Sequence, residues 1–300
     1  QPESSAASDV YKRQVIGPGA IGLVLAGSLD SKNQVSVLSK PEAYDKLKQN
    51  GLWIKKRNKK RKINAKIITE IDDSEIVIIA VKGYDLDNAV NLLHNFKGKI
   101  IICQNGLKML NLNLEHNNNI YSIVTSMGAI STNNGVTEFK GTGRTVVGSL
   151  NNVNKKRDEI LNIFSKNYFE ISHSNDIEKS IWLKAVVNSA INPIASLYNL
   201  KNGDLKKEQY WYLVRELLAE SREIARSNGI DFNNEPIKLA EEIIQKTADN
   251  YCSMLQDIKK GKKTEINEIN GIFHLMGQKQ NVKTTLNLEY LKKINALINS

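Results

Sequence analysis

Apolar residues change their spacing part-way along the chain: short continuous runs give way, near residue 176, to helical periodicity. Glu75-Ile-Val-Ile-Ile-Ala-Val81 and Lys99-Ile-Ile-Ile-Cys103 are β-rich runs without alternation, the pattern of strands buried on both faces of a parallel sheet. Residues 34–38, 120–126, 136–139, 145–147 and 169–172 predict further strands, with Gly141 and Gly143 marking a hairpin. Leu52-Trp53-Ile54 and residues 63–69 predict an antiparallel hairpin. Helical patterns fall at 23–29, about 85–96 and about 155–166.

Beyond residue 176 no strand pattern is convincing. Residues 181–196 read as a buried helix that Pro193 should kink, because proline lacks an N–H and crowds the carbonyl of Ser189. Residues 207–227 form an amphipathic helix ended by Asn228-Gly229. Pro236 starts the next helix, expected to run through Tyr251-Cys-Ser-Met-Leu-Gln-Asp257 and stop near Gly261. Residues 264–271 open another, and 286–298 form the last. Residues 1–14 break the pattern: they lack an initiating Met, are polar, and place Lys12 and Arg13 where a buried strand should be apolar. They are expected to be a non-native leader, with the natural strand beginning at about Val15.

At 300 residues two domains are the natural expectation. The net charge of +10 is scattered, and its densest run, Lys55-Lys56-Arg57-Asn58-Lys59-Lys60-Arg61-Lys62, is expected at a solvated hairpin tip. It lies on no recognition helix and lacks interleaved aromatics, which argues against nucleic acid; its charge would help to draw in an anionic cofactor. Cys103 and Cys252 are far apart, as suits a reducing, cytoplasmic setting, and His94, His116, His173 and His274 show no metal-ligand spacing. No apolar run approaches a membrane span of about 20 residues, and no signal-peptide core precedes the first motif.

Val15-Ile16 leads into Gly17-Pro18-Gly19-Ala20-Ile21-Gly22 and then a helix, so a G-x-G-x-x-G loop sits in the strand–turn–helix setting that binds a dinucleotide. The first glycine permits the turn, the second admits the pyrophosphate, and the third lets helix and strand pack closely. The predicted fold is therefore α/β: a Rossmann-type dinucleotide-binding domain over residues 15–174, followed by an all-helical domain over 175–300. The second strand ends Val37-Leu38-Ser39-Lys40, with no acid between Asp30 and Glu42 to accept from a ribose 2′-hydroxyl, which favours NADP(H). Lys82-Gly83 and Gln104-Asn105-Gly106 follow the two most apolar strands, where such sheets present residues to a ligand. Asn105 reads equally as turn former and ligand contact.

Lys184, Asn188 and Asn192 recur every four residues, drifting only about 40° per step on a helix whose other faces are apolar. A buried ammonium and two amides require partners, so the stripe marks a polar cleft. Reducing a carbonyl with a nicotinamide needs a proton donor for the developing alkoxide. No histidine lies near any motif, and Lys184 is the leading candidate, kept charged by a nearby carboxylate.

The glycine loop, Gln104-Asn105-Gly106, the spacing of Lys184, Asn188 and Asn192-Pro193, Ser253-Met-Leu-Gln-Asp257, and Thr264-Glu265-Ile-Asn267 through Ile269-Asn-Gly271 together resemble the ketopantoate reductase (2-dehydropantoate 2-reductase) family. The similarity covers nearly the whole chain after residue 14. It implies NADPH-dependent reduction of 2-dehydropantoate to (R)-pantoate, a step toward pantothenate and coenzyme A, by a monomer or homodimer acting on a small 2-oxo acid. By the resemblance, Lys184 matches the catalytic lysine and Glu265 the acid that organises substrate and lysine. Asn188, Asn192 and Ser253 match substrate contacts, Asn105 the junction of substrate and cofactor, Lys82 a cofactor-side lysine, and Lys40, beside Ser39, the 2′-phosphate contact. Lys108 and Ala195-Ser196 depart from the usual residues, which leaves a related 2-oxo acid as an alternative substrate. A non-catalytic NADP-binding regulatory protein is the remaining alternative.

Overall fold

A computed structural model describes residues 11–29, 33–112, 119–132, 135–151, 157–164, 168 and 170–299. Residues 1–10 of the expected leader, His116 and part of the helix expected at 155–166 lie outside them. The chain forms two compact units. The first takes in the described residues up to Val81, Asp85–Gln104 and the described residues of Asn113–Ile177; the second takes in Lys82–Tyr84, Asn105–Leu112 and the described residues of Glu178–Ser300.

The first unit is built on an eight-stranded sheet, ordered β12-β11-β8-β7-β6-β1-β2-β5. Its strands are β1 (Tyr11–Ile16), β2 (Asn33–Leu38), β5 (Ala65–Ile68), β6 (Ile76–Ile79), β7 (Lys99–Ile102), β8 (Ile120–Thr125), β11 (Thr145–Ser149) and β12 (Ile171–His173). Neighbours are parallel except β8 and β11. The central strands β6 and β7 carry only Ile, Val and Lys99, and all but Lys99 are buried, as strands covered on both faces must be. Helices α1 (Ala20–Leu29), α2 (Pro41–Asn50), α3 (Leu86–Asn91) and α4 (Arg157–Asn162) complete the unit with a second sheet, ordered β4-β3-β10-β9. That sheet comprises β3 (Trp53–Lys56), β4 (Lys59–Lys62), β9 (Gly128–Thr132) and β10 (Val136–Gly141).

Several expectations are corrected here. β1 begins at Tyr11, four positions before the expected start: Arg13 is buried, but its guanidinium bonds Glu75 at 3.1 Å, so a cation is tolerated in a central strand. The expected hairpin of residues 52–54 with 63–69 is replaced by β3 paired with β4, so the exposed basic run supplies the tip, at Arg57-Asn58, and also the strand residues that flank it. Residues 65–68 instead join the large sheet beside β2. No hairpin links β10 to β11, because β10 pairs with β3 and β9 in the small sheet while β11 pairs with β8 in the large one. The helix expected at 85–96 is short, and the single helix expected from Pro236 to Gly261 is interrupted at residues 247–252.

β4 is an edge strand with every residue exposed, and its cations lie over aromatic rings: Lys60 Nζ is 4.4 Å from the Trp53 ring centroid, and Arg61 Nε donates to Tyr168 Oη at 2.7 Å. A lysine-rich edge discourages addition of a further strand.

The second unit is helical, with α5 (Ile177–Leu197), α6 (Glu208–Ser227), α7 (Glu235–Lys246), α8 (Ser253–Lys259), α9 (Ile272–Lys279) and α10 (Thr285–Asn299). α5 is its core: Ile181, Trp182, Ala185, Val186, Val187, Ala190, Ile191 and Ile194 are all buried, and Trp182 meets Phe273 of α9 edge to face at 5.8 Å. α5 continues through Pro193 to Leu197, so the proline is accommodated inside the helix. Among the described residues no helix is long and apolar enough to cross a membrane.

Candidate active site

In the first unit the glycine loop is shaped by two close approaches. Gly17 has φ +105°, a conformation that costs a side-chain-bearing residue, and donates its N–H to Leu38 O at 3.2 Å. A Cβ at Gly22 would fall 2.0 Å from Gly17 O, so only glycine lets the start of α1 lie against the turn. At Gly19 a Cβ would meet nothing within 4 Å, leaving the loop face open. Pro18, Ala20 and Ile21 complete the loop, and the first intrahelical bond runs from Leu23 N to Gly19 O, so the amides before it point out of the helix end. Such a helix start accepts a pyrophosphate, and the loop fits a dinucleotide. At the end of β2, Ser39 has its buried Oγ without a hydrogen-bond partner, while exposed Lys40 lies 3.2 Å from Asp85 Oδ1. Asp85, 45 residues further on, brings to this strand end a carboxylate that its local sequence lacks.

In the second unit Glu265 is the centre of a charged cluster. It is 5% exposed; its Oε2 accepts from Lys82 Nζ at 3.1 Å and Asn105 Nδ2 at 3.3 Å, and its Oε1 from the Gly83 N–H at 3.0 Å. Lys82 also donates to Asp257 Oδ2 at 2.8 Å. Burial pushes the Lys82 ammonium toward losing its proton, but the two carboxylates outweigh it and hold its pKa above the ordinary lysine value. A raised lysine pKa contributes stability that is complete below the ordinary value and is lost only as pH climbs through the raised one, so Lys82 stays charged at neutral pH. Burial, with the nearby Glu265 charge adding to it, raises the Glu268 carboxyl. Gly106, at φ +86°, lets the Asn105-Gly106 turn come close to this segment: a Cβ there would lie 2.6 Å from Glu268 O. The segment is itself wound as a π-turn over Asn267–Gly271, with Gly271 N bonded to Ile266 O at 3.1 Å. Single π-turns of this kind are frequent at functional sites.

Lys184 and Asn188 are half-buried on α5, and Asn192 is buried one turn further along. Cys252 Sγ contacts Asn192 O at 3.6 Å and accepts from Leu255 N at 3.4 Å, so it caps α8 and sets the start of that helix beside the Asn192 turn. Ser253, exposed at that start, and Asp257 are four residues apart and share a face of α8.

Of the residues singled out from sequence, the structure brings Lys82, Asn105 and Glu265 together and aligns Lys184, Asn188 and Asn192 on one helix. Glu265 binds the ammonium of Lys82, and the Gly83 N–H and Lys82 reach the carboxylate from one short segment. Sequence reasoning assigned no role to Asp257, the Gly83 N–H or Asp85. The four-residue spacing from Ser253 was the signal available for Asp257.

Residues 14–152 match the family model described as Ketopantoate reductase PanE/ApbA, and residues 176–297 match Ketopantoate reductase PanE/ApbA C terminal. The chain is 31% identical to the 2-dehydropantoate 2-reductase of Pyrococcus horikoshii, over 92% of this chain and 94% of the relative. It belongs to the ketopantoate reductase family. Among solved structures, the fold is like that of D-mandelate dehydrogenase in complex with NADH, with a TM-score of 0.87 and 22% identity, covering 96% of this chain and 99% of the other. It is also like a probable 2-dehydropantoate 2-reductase from Bacillus subtilis, with a TM-score of 0.80 and 22% identity over 95% of this chain and 99% of the other. Family membership makes the cofactor a nicotinamide dinucleotide, which the glycine loop fits.

Proposed function

We propose that this chain is a 2-dehydropantoate 2-reductase that uses NADPH and yields (R)-pantoate. The near full-length likeness to the Pyrococcus horikoshii enzyme of that name carries the reading. The glycine loop and the end of β2 would hold the dinucleotide, which would supply the hydride for the carbonyl carbon. Lys184 gives a proton to the carbonyl oxygen, so that ketone, hydride and proton balance to a secondary alcohol. Asn188, Asn192 and Ser253 bind the substrate's polar groups. Glu265 orders Asn105, Gly83 and Lys82 and, through them, the substrate end of the site. Glu265 and Asp257 share Lys82, and Lys184 is assigned the positive charge that meets an anionic 2-oxo acid. The test is NADPH oxidation with ketopantoate against pyruvate and 2-oxoisovalerate: ketopantoate should be preferred, and equal or lower turnover would overturn the substrate assignment.

Lys40 supports NADPH through the 2′-phosphate, whereas Asp85 at 3.2 Å from it favours NADH, whose 2′-hydroxyl a carboxylate can accept from. Replacing Lys40 by Ala should weaken NADPH use by about tenfold, the size of one charge-assisted hydrogen bond, and leave NADH use little changed. Asp85→Asn should shift the ratio of kcat/KM values toward NADPH. If neither variant moves that ratio, the end of β2 does not select the cofactor.

A further inference from the structure

Pro193 lies inside α5 and has no N–H, so the helix offers no donor to Ser189 O four residues back. Ser189 is fully buried, and water cannot take the place of that donor. Asn270, also fully buried, supplies it: its Nδ2 donates to Ser189 O at 2.9 Å and, with its other hydrogen, to Asn287 Oδ1 at 3.0 Å. Asn287 Nδ2 donates in turn to Ser221 Oγ at 3.1 Å and to Glu220 Oε1 at 2.9 Å. The Ser189 hydroxyl is committed to Val186 O at 2.7 Å, so the 2.8 Å contact between Ser189 Oγ and Ser221 Oγ has Ser221 as donor. The circuit from α5 through the π-turn to α10 and α6 is closed and has one consistent set of donors. Flipping the Asn270 amide would set its oxygen against two acceptors. Glu220 completes the anchorage by accepting from Leu286 N and Asn287 N at 2.9 and 2.7 Å, at the start of α10.

The turn that this amide secures, residues 189–193, holds Asn192 and directly follows Asn188. The segment that presents Asn270 begins at Glu265. We propose that Asn270 is a positioning residue: by replacing the ladder bond that Pro193 cannot make, it fixes where Asn188 and Asn192 point relative to the 2-oxo acid. The inference rests on the binding roles proposed for those two asparagines.

The test is a cycle of Asn270→Ala, Pro193→Ala and the double variant, read by thermal unfolding and by steady-state kinetics. Alanine at 193 restores an N–H for Ser189 O, so the two changes should be strongly non-additive. Asn270→Ala alone should lower Tm and raise KM for the 2-oxo acid about tenfold while leaving KM for NADPH unchanged and kcat within about threefold. In the Pro193→Ala background the same change should cost at least about threefold less in KM. Additive effects in both readouts would overturn the proposal. So would an Asn270→Ala enzyme whose kcat falls with the folded fraction at unchanged KM, since that marks a purely structural role. If Asn270→Ala does not fold, a folded double variant supports the proposal and an unfolded one refutes it. Should the wild type reduce no 2-oxo acid, the functional reading fails, but coupling in the unfolding cycle still reports the replaced ladder bond.

Discussion

Lys184→Ala is expected to fold, bind NADPH, and reduce ketopantoate at least about a thousandfold more slowly than the wild type, the combined size of a lost general acid and a lost oxyanion partner. The fold should survive because Lys184 is only half-buried and alanine is the best helix former at a position inside α5. Dinucleotide binding should survive because the glycine loop, Ser39 and Lys40 belong to the other compact unit. What is lost is the proton for the alkoxide and the cation that meets it. Lys82 cannot substitute, since two carboxylates hold its ammonium and raise its pKa, which makes it a poor acid at neutral pH. Single-turnover reduction separates chemistry from product release, and a rate within tenfold of the wild type would remove Lys184 from the mechanism.

Glu265→Ala should raise KM for the 2-oxo acid by one to two orders of magnitude, at about 1.4 kcal/mol per tenfold, with a smaller fall in kcat and a lowered Tm. The carboxylate is buried and accepts three hydrogen bonds, from Lys82, the Gly83 N–H and Asn105. Its removal leaves the buried Gly83 N–H without that acceptor, a penalty of about 1–3 kcal/mol, and frees the Asn105 amide to turn. Lys82 keeps Asp257 and therefore remains charged and ordered, which is why the loss should fall on substrate binding more than on the fold. Glu265→Gln distinguishes charge from shape: one amide oxygen can still accept from Gly83, but the amide nitrogen faces Lys82. Unchanged KM and kcat in both variants would reject the organising role.

What could be read from the chain follows the range of the interactions. Gly17, Gly19 and Gly22 act within one turn, and the uniform apolar runs of β6 and β7 report burial directly, so the dinucleotide fold was legible. Strand partners were less so, because β10 pairs not with the next strand, β11, but with β9 and with β3, about 80 residues earlier. The basic run expected at a hairpin tip extends beyond it into the edge strand β4, since lysines on an outer edge satisfy the same polarity as a turn. The stripe of Lys184, Asn188 and Asn192 was visible from helical spacing alone. The Lys82–Glu265 pair spans 183 residues, and no periodicity in a single sequence links such positions; the family resemblance named both residues but with separate tasks.

The helical unit borrows Lys82–Tyr84 and Asn105–Leu112 from the first half of the chain, and this bears on how the gene can be divided. A fragment starting at residue 178 would carry Glu265 and Asp257 without Lys82, the Gly83 N–H or Asn105. Both carboxylates would then lose the ammonium that they share. No single breakpoint separates the two compact units in this family member, so swapping the helical half between relatives has to carry both short loops with it.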